Sequence, residues 1–346
     1  MQLLSFFKWT LLATAASLIA AYFYGGWAAL ATCIILGILE VSLSFDNAVL
    51  NASILRKMSP FWQKMFLTIG IIIAVFGMRL VFPLLIVAIA AQLNPVEAVQ
   101  LALAKGDPHT PGTYGYILAA AHPYIAAFGG MFLLLLFLDF IFEDRDIKWL
   151  QRLEKPLAKI GRLKTVSVLL ALGGLVAATA TLPADVQLPA LTAGIFGVML
   201  YIFIKGLGDV FQKYSESKMG NMTLAVGKAG FFMFLYLEVL DATLSFDGAI
   251  GAFAITPDPI IIGLGLGIIG AMAVRSLTVY MVRKGTLDEF VHLEHGAHWA
   301  IGALAVILLV SITVHVNEII TGLVGLVFIG AAFWTSILYR RKHSVK

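Results

Sequence analysis

Cysteine is nearly absent: Cys33 is the single one among 346 residues. That excludes a disulfide framework and a thiolate metal cluster, each of which needs at least a pair of thiols. Charge is scarce too. Lys, Arg, Asp and Glu make up 13% of the chain, where soluble domains carry about 25%. Also missing are a Walker A motif, which would mark nucleotide-driven work, and any nucleophile–base arrangement of the kind an enzyme needs. What is abundant is apolar: 60% of residues are hydrophobic and the mean hydropathy is +0.93. Runs such as 67–91, 259–282 and 319–339 are long enough to span a bilayer core. The expectation is an all-α polytopic membrane protein.

Ten spans are expected, near 6–25, 27–57, 63–91, 117–142, 165–182, 188–211, 224–254, 259–283, 297–315 and 319–339. The first carries Lys8 and lacks a small-residue cleavage site, so it reads as a retained helix rather than a signal peptide. With the N-terminus cytoplasmic, ten crossings return the C-terminus to the same side. Twenty of the 24 Lys and Arg residues then face the cytoplasm, seven of them between Arg145 and Lys164. Lys105 alone falls outside, and Arg79, Lys205 and Arg275 lie within spans. That is the positive-inside bias. The net charge of +4 therefore reports topology, not a nucleic-acid partner. The expected location is a bacterial plasma membrane with both termini cytoplasmic.

Two stretches break the apolar pattern. "LEVSLSFDNA" covers residues 39–48, and "LEVLDATLSFDGA" covers 237–249. Aligning their Ser-Phe-Asp triplets, Asp46 on Asp247, gives an offset of 201 residues, which also places Glu40 on Asp241. The following helix of each half carries one arginine, Arg79 or Arg275. The motif helices are the second and seventh spans, so they enter the membrane from opposite faces. Such inverted repeats are common in secondary transporters, whose sites lie near the midplane on broken helices. The repeats are expected to be residues 1–164 and 165–346, forming one transmembrane domain.

Glu40 and Asp46 are six residues apart, as are Asp241 and Asp247. On an unbroken helix that spacing turns the two side chains about 120° from each other. Convergence on one ion requires unwinding near Ser44–Asn47 and Ser245–Gly248, where Asn47 and Gly248 tolerate helix-ending conformations. Glu40, Asp46, Glu238, Asp241 and Asp247 outnumber Arg79 and Arg275. Structural pairing alone leaves acids uncompensated, and an uncompensated intramembrane acid marks an ion path or proton relay. Carboxylate, amide and hydroxyl oxygens, the last from Ser44 and Ser245, are hard ligands suited to Mg²⁺, Ca²⁺ or Mn²⁺.

These residues carry a family resemblance. "FLYLEVLDATLSFDGAIGAFAITPDPIII" with "VRSLTVYMV" resembles the second conserved block of TerC-type integral membrane proteins, and "EVSLSFDNA" resembles the first. "HLEHGAHWAIGAL" is similar to a less characterised branch of that family. The resemblance implies a metal-ion transporter, with manganese export the best-supported activity among relatives. It carries Glu40, Asp46, Asn47, Glu238, Asp241 and Asp247 over as metal ligands, and departs at Gly248, where relatives have serine.

Outside the motifs, Glu294, His295 and His298 form the most suggestive polar group, a possible proton relay or metal antechamber set against a capped helix entrance. The Gly-rich segment 263–273 lies in an apolar span, where small residues serve close helix packing rather than dinucleotide binding. The expected function is a secondary transporter of a hard divalent ion, most simply Mn²⁺ export by proton antiport. The metal is substrate, and no tightly bound cofactor is expected. A transporter of Ca²⁺ or a small organic solute, and a non-transporting assembly scaffold, remain open, as does the oligomeric state.

Overall fold

The computed structural model describes residues 2–343 apart from 44, 71, 74, 75, 78–80, 82, 83, 86, 89–91, 105, 107, 108, 162–164, 220–223, 257, 285–288, 315 and 317; the side chains of 2–5, 39, 42–46, 204, 207–219, 242–251, 253–255, 318, 319, 321, 322 and 343 are likewise not described. Among the described residues the chain is helical, with no strand. Among the described residues, six helical stretches are long and apolar enough to cross a membrane: Phe6–Ile38, His122–Phe142, Ala184–Phe203, Pro259–Lys284, Leu293–Ser311 and Leu323–Lys342. Large apolar side chains stand exposed along several of them, Phe23 at 83%, Trp27 at 74% and Leu188 at 69%. In water such exposure would be a liability; in a bilayer it is the ordinary outward face.

The chain forms two compact units. The first comprises Met1–Phe45, Met65–His122 and Leu244–Val279. Its longest element, α1 (Gln2–Leu43), is interrupted at Gly25 and Gly26. Gly26 has φ 65° and ψ −153°, a combination open only to glycine. The interruption reverses the chain. Tyr24 bonds Asp258 and Thr10 bonds both Met272 O and Ser276 Oγ, so the first arm runs against residues 258–276. On the second arm, Cys33 and Leu36 meet Gly265 and Glu40 meets Gly270, so that arm runs with them. The 33-residue apolar stretch Phe6–Ile38 is therefore two antiparallel arms, divided where separate spans 6–25 and 27–57 were expected.

The partner of both arms is the short α-helical turn α11 (Pro259–Ile262), a π-helical stretch Gly263–Gly270, and a further helix α12 (Ala271–Lys284). A Cβ at Gly265 would lie 2.8 Å from Leu36 Cβ and 2.9 Å from the Cys33 carbonyl. The Gly-rich run is thus a packing surface, as small residues in membrane helices usually are. A second π-helical turn, Phe66–Gly70, begins the other arginine-bearing segment. The expected outer connection 92–116 holds a helix of its own, α4 (Pro95–Leu103), closed by a capping box between Asn94 and Glu97; α2 (Phe45–Leu55) and α3 (Pro60–Met65) precede it, and α5 (Tyr114–Ala120) follows.

The second unit comprises Asp46–Lys64, Pro123–Thr243 and Tyr280–Lys346. Each unit draws on both halves of the sequence. At the centre of the second lies α6 (His122–Phe142), buried along most of its length. Glycines let its neighbours approach. Gly302 of α13 (Leu293–Ser311) faces the Phe137 ring, Gly130 faces Leu308 and Leu309, and Gly197 of α9 (Ala184–Met219) meets the Phe128 carbonyl. The amphipathic α7 (Gln151–Ile160) and α8 (Val166–Thr179) lie between α6 and α9 in the chain, and α14 (Glu318–His343) packs on α13 through Gly296 against Ala332. Lys205 was expected only to lie within a span. It pairs with Asp139, which also accepts a 2.7 Å hydrogen bond from the Tyr201 hydroxyl.

Finally, α2 lies beside α10 (Gly227–Ile255). The pairing is fixed at the chain entrance, where Ser59 N donates to Ala225 O at 3.0 Å and Ala225 N donates to Lys57 O at 2.8 Å. Trp62 fills the space over Gly230, its ring 5.8 Å from those of Phe231 and Phe234.

Candidate metal site

Asn47 Nδ2 donates to Asp241 Oδ1 at 2.8 Å, joining α2 to α10 through a buried polar contact. Asn47 is 2% exposed and Asp241 5%. Glu238, 8% exposed, precedes Asp241 by one turn, and residues three apart share a helix face. Three of the six expected ligands, Asn47, Glu238 and Asp241, thus belong to one side of the α2–α10 pair. Oε1 of Glu238 and Oδ2 of Asp241 are buried without a hydrogen-bond donor among the described residues. Burying such an oxygen unpaired costs about 1–3 kcal/mol, and more when it is charged.

Glu40 is placed differently. It sits at the end of α1 in the first unit, 2% exposed, with its Cγ so close to Gly270 that a Cβ there would come within 2.0 Å. Ser44 and Arg79 lie outside the described residues, as do the side chains of Asp46, Ser245 and Asp247. Their expected convergence therefore has no described geometry. Among the described residues, no three His, Cys, Asp or Glu side chains gather as a metal-holding group. The described oxygens are instead two carboxylates and neighbouring amides.

In the first motif, Ser44 of the expected break lies outside the described residues, and Phe45–Asn47 open the helix α2. In the second motif the expectation fails: α10 is one helix from Gly227 to Ile255, with no interruption at Ser245–Gly248. An unbroken helix keeps every backbone group of that stretch paired in an apolar surrounding, which one tolerant glycine does not outweigh. Arg275 Nε donates to the Leu67 carbonyl at 3.0 Å, within the π-helical turn of the first unit.

The expected relay group separates into distinct interactions. Glu294 pairs with Arg56 at 2.9 Å and faces Arg145 at 3.7 Å. His298 Nδ1 bonds the Glu294 backbone carbonyl at 2.8 Å, not its carboxylate, and its ring stacks on Phe140 at 3.5 Å. His295 lies 3.1 Å from Glu154, a residue that sequence reasoning passed over. Glu154 accepts 3.1 Å hydrogen bonds from Trp149 N, Leu150 N and Trp299 Nε1. Burial alone would raise its carboxyl, but the donors from His295, Trp299 and the Leu150 backbone overcome that and hold it at about 2. The only hint in the sequence was a lone acid near the start of a basic amphipathic helix. This cluster anchors α7 on α13, and its acids are already matched by cations and donors.

A family model now places the chain. Its match covers residues 45–343, well over half of the 346. The chain belongs to the DUF475 family, described as proteins of unknown function. No curated protein and no solved structure matches it. The matched DUF475 region takes in Asn47, Glu238 and Asp241, and begins after Glu40.

Proposed function

We propose that this DUF475 protein is a secondary transporter of a hard divalent cation, with Mn²⁺ as the favoured substrate and export as the favoured direction. The observation that carries the reading is the buried Glu238–Asp241 face, where Glu238 Oε1 and Asp241 Oδ2 lack donors among the described residues, in a chain with long apolar helices. Acceptors without donors are what a cation needs. Oxygen-only surroundings suit Mg²⁺, Ca²⁺ and Mn²⁺ rather than Cu⁺ or Zn²⁺, and the resemblance to TerC-type proteins favours Mn²⁺ among them.

Export against about −100 mV costs about 4.6 kcal/mol for a dication, at roughly 2.3 kcal/mol per charge. The sequence holds no Walker A motif to supply it from a nucleotide. Proton antiport is the economical source, since the same carboxylates take protons when the ion leaves. On this reading the protein resides in a bacterial plasma membrane with both termini cytoplasmic.

The test is Mn²⁺ flux into proteoliposomes with and without an opposing pH gradient. Wild type should carry Mn²⁺ inward and alkalinise the lumen as protons leave, while Asp241→Asn should cut flux at least tenfold. Ca²⁺ flux without Mn²⁺ flux would replace the substrate. Absence of any metal flux from a well-folded protein would leave the scaffold reading in its place.

A further inference from the structure

We propose that Asn51 is an additional, neutral ligand of this cation site, supplying its side-chain oxygen beside Glu238. The inference rests on the transport reading above and names a residue that neither the motif repeat nor the family resemblance singles out. Asn51 is 1% exposed, and its Oδ1 is buried with no hydrogen-bond donor among the described residues. An amide oxygen left this way in a helix of apolar neighbours is costly, so its position calls for a partner.

Its direction follows from the packing. Asn47 meets Asp241, whereas Lys57 and Ser59 meet Ala225. Numbers rise along α2 while they fall along α10, so the two helices are antiparallel. Asn51 is four residues beyond Asn47 and shares its face. It therefore looks toward α10 about one turn before Asp241, which is where Glu238 lies.

Three buried acceptors then share this face: Asn51 Oδ1, Glu238 Oε1 and Asp241 Oδ2. They cannot satisfy one another, because none has a hydrogen to give. Protonating either acid supplies a single O–H, which can serve only one of the other acceptors. A divalent cation serves all three, and the two carboxylates balance its charge while the amide adds an oxygen without adding charge. This matches the ligand mixture that hard divalent ions take, carboxylate with amide or carbonyl oxygen.

The experiment is Mn²⁺ titration of the purified full-length protein in detergent, with the free ion counted by its electron paramagnetic resonance signal. Wild type should bind, Asp241→Asn should lose most binding, and Asn51→Leu should bind about 10- to 100-fold more weakly, the loss typical when a polar partner of a metal site is removed. Asn51→Asp keeps the shape and an oxygen, so it should bind at least as tightly as wild type and with a steeper pH dependence. Should Asn51→Leu fail to fold, weakened binding in Asn51→Asp overturns the proposal. Wild-type affinity in a folded Asn51→Leu overturns the role of Asn51 while leaving the transport reading intact. No Mn²⁺ binding by wild type overturns both.

Discussion

Glu154 shows how much a single carboxylate can organise. Its two oxygens take hydrogen bonds from two backbone N–H groups and an indole, with an imidazole at 3.1 Å, and only 2% of the residue is exposed. Because its folded-state value, about 2, lies below the ordinary 4.5, the ionised form stabilises the fold. That contribution is complete above about pH 4.5 and is lost as pH falls toward 2. Glu154→Gln should lower stability by about 1–3 kcal/mol at neutral pH, since a carboxylate bonded to several donors is replaced by a neutral group. Thermal melts in detergent should show wild type and variant converging as pH drops below 4.5; a constant gap would mean that charge is not the cause. The sequence hid this residue because an acid in a basic run reads as one more surface charge. Glu40, Glu238 and Asp241 were legible for the opposite reason: an acid in an apolar run has no ordinary explanation. Asn51 carries no charge, so in the same apolar run it gave no signal.

At the scale of elements, glycine decides which helices can touch. Gly265 admits the α1 backbone, with a built Cβ 2.8 Å from Leu36 Cβ and 2.9 Å from the Cys33 carbonyl, whereas Gly330 of α14 has nothing within 4 Å. Gly265→Ala should therefore destabilise by about 1–3 kcal/mol through overpacking. Gly330→Ala should be neutral or gain up to about 1 kcal/mol from helix propensity. Equal melting temperatures for the two variants would show that Gly265 is not a contact point. Element boundaries were legible where backbone chemistry forces them, as at Gly25–Gly26. They were not legible where an ion's needs were expected to break a helix: α10 runs through Ser245–Gly248. A helix in an apolar surrounding resists interruption unless something else satisfies its freed backbone groups.

For the whole molecule, hydropathy and the placement of Lys and Arg are the two levers that fix which ends face which compartment. On the proposed topology they place the basic stretch 145–164 and the Arg340–Lys342 cluster in the cytoplasm, and the 92–116 connection outside. A topology can be proposed from sequence because bilayer insertion depends on summed composition, whereas a site depends on the position of single atoms. The near absence of cysteine makes the topology testable. Cys33 is buried, and replacing it with serine gives a background free of thiols. In that background, Thr110→Cys should react with a membrane-impermeant maleimide added to intact cells, since Thr110 is exposed in the outer connection. Lys342→Cys, exposed near the other end of the chain, should react only after the membrane is opened. Labelling of both from outside would require an even number of crossings between them, where the ten-span arrangement has seven, and would overturn it. The reverse pattern would keep the span parity but invert the protein, turning the proposed direction of metal movement with it.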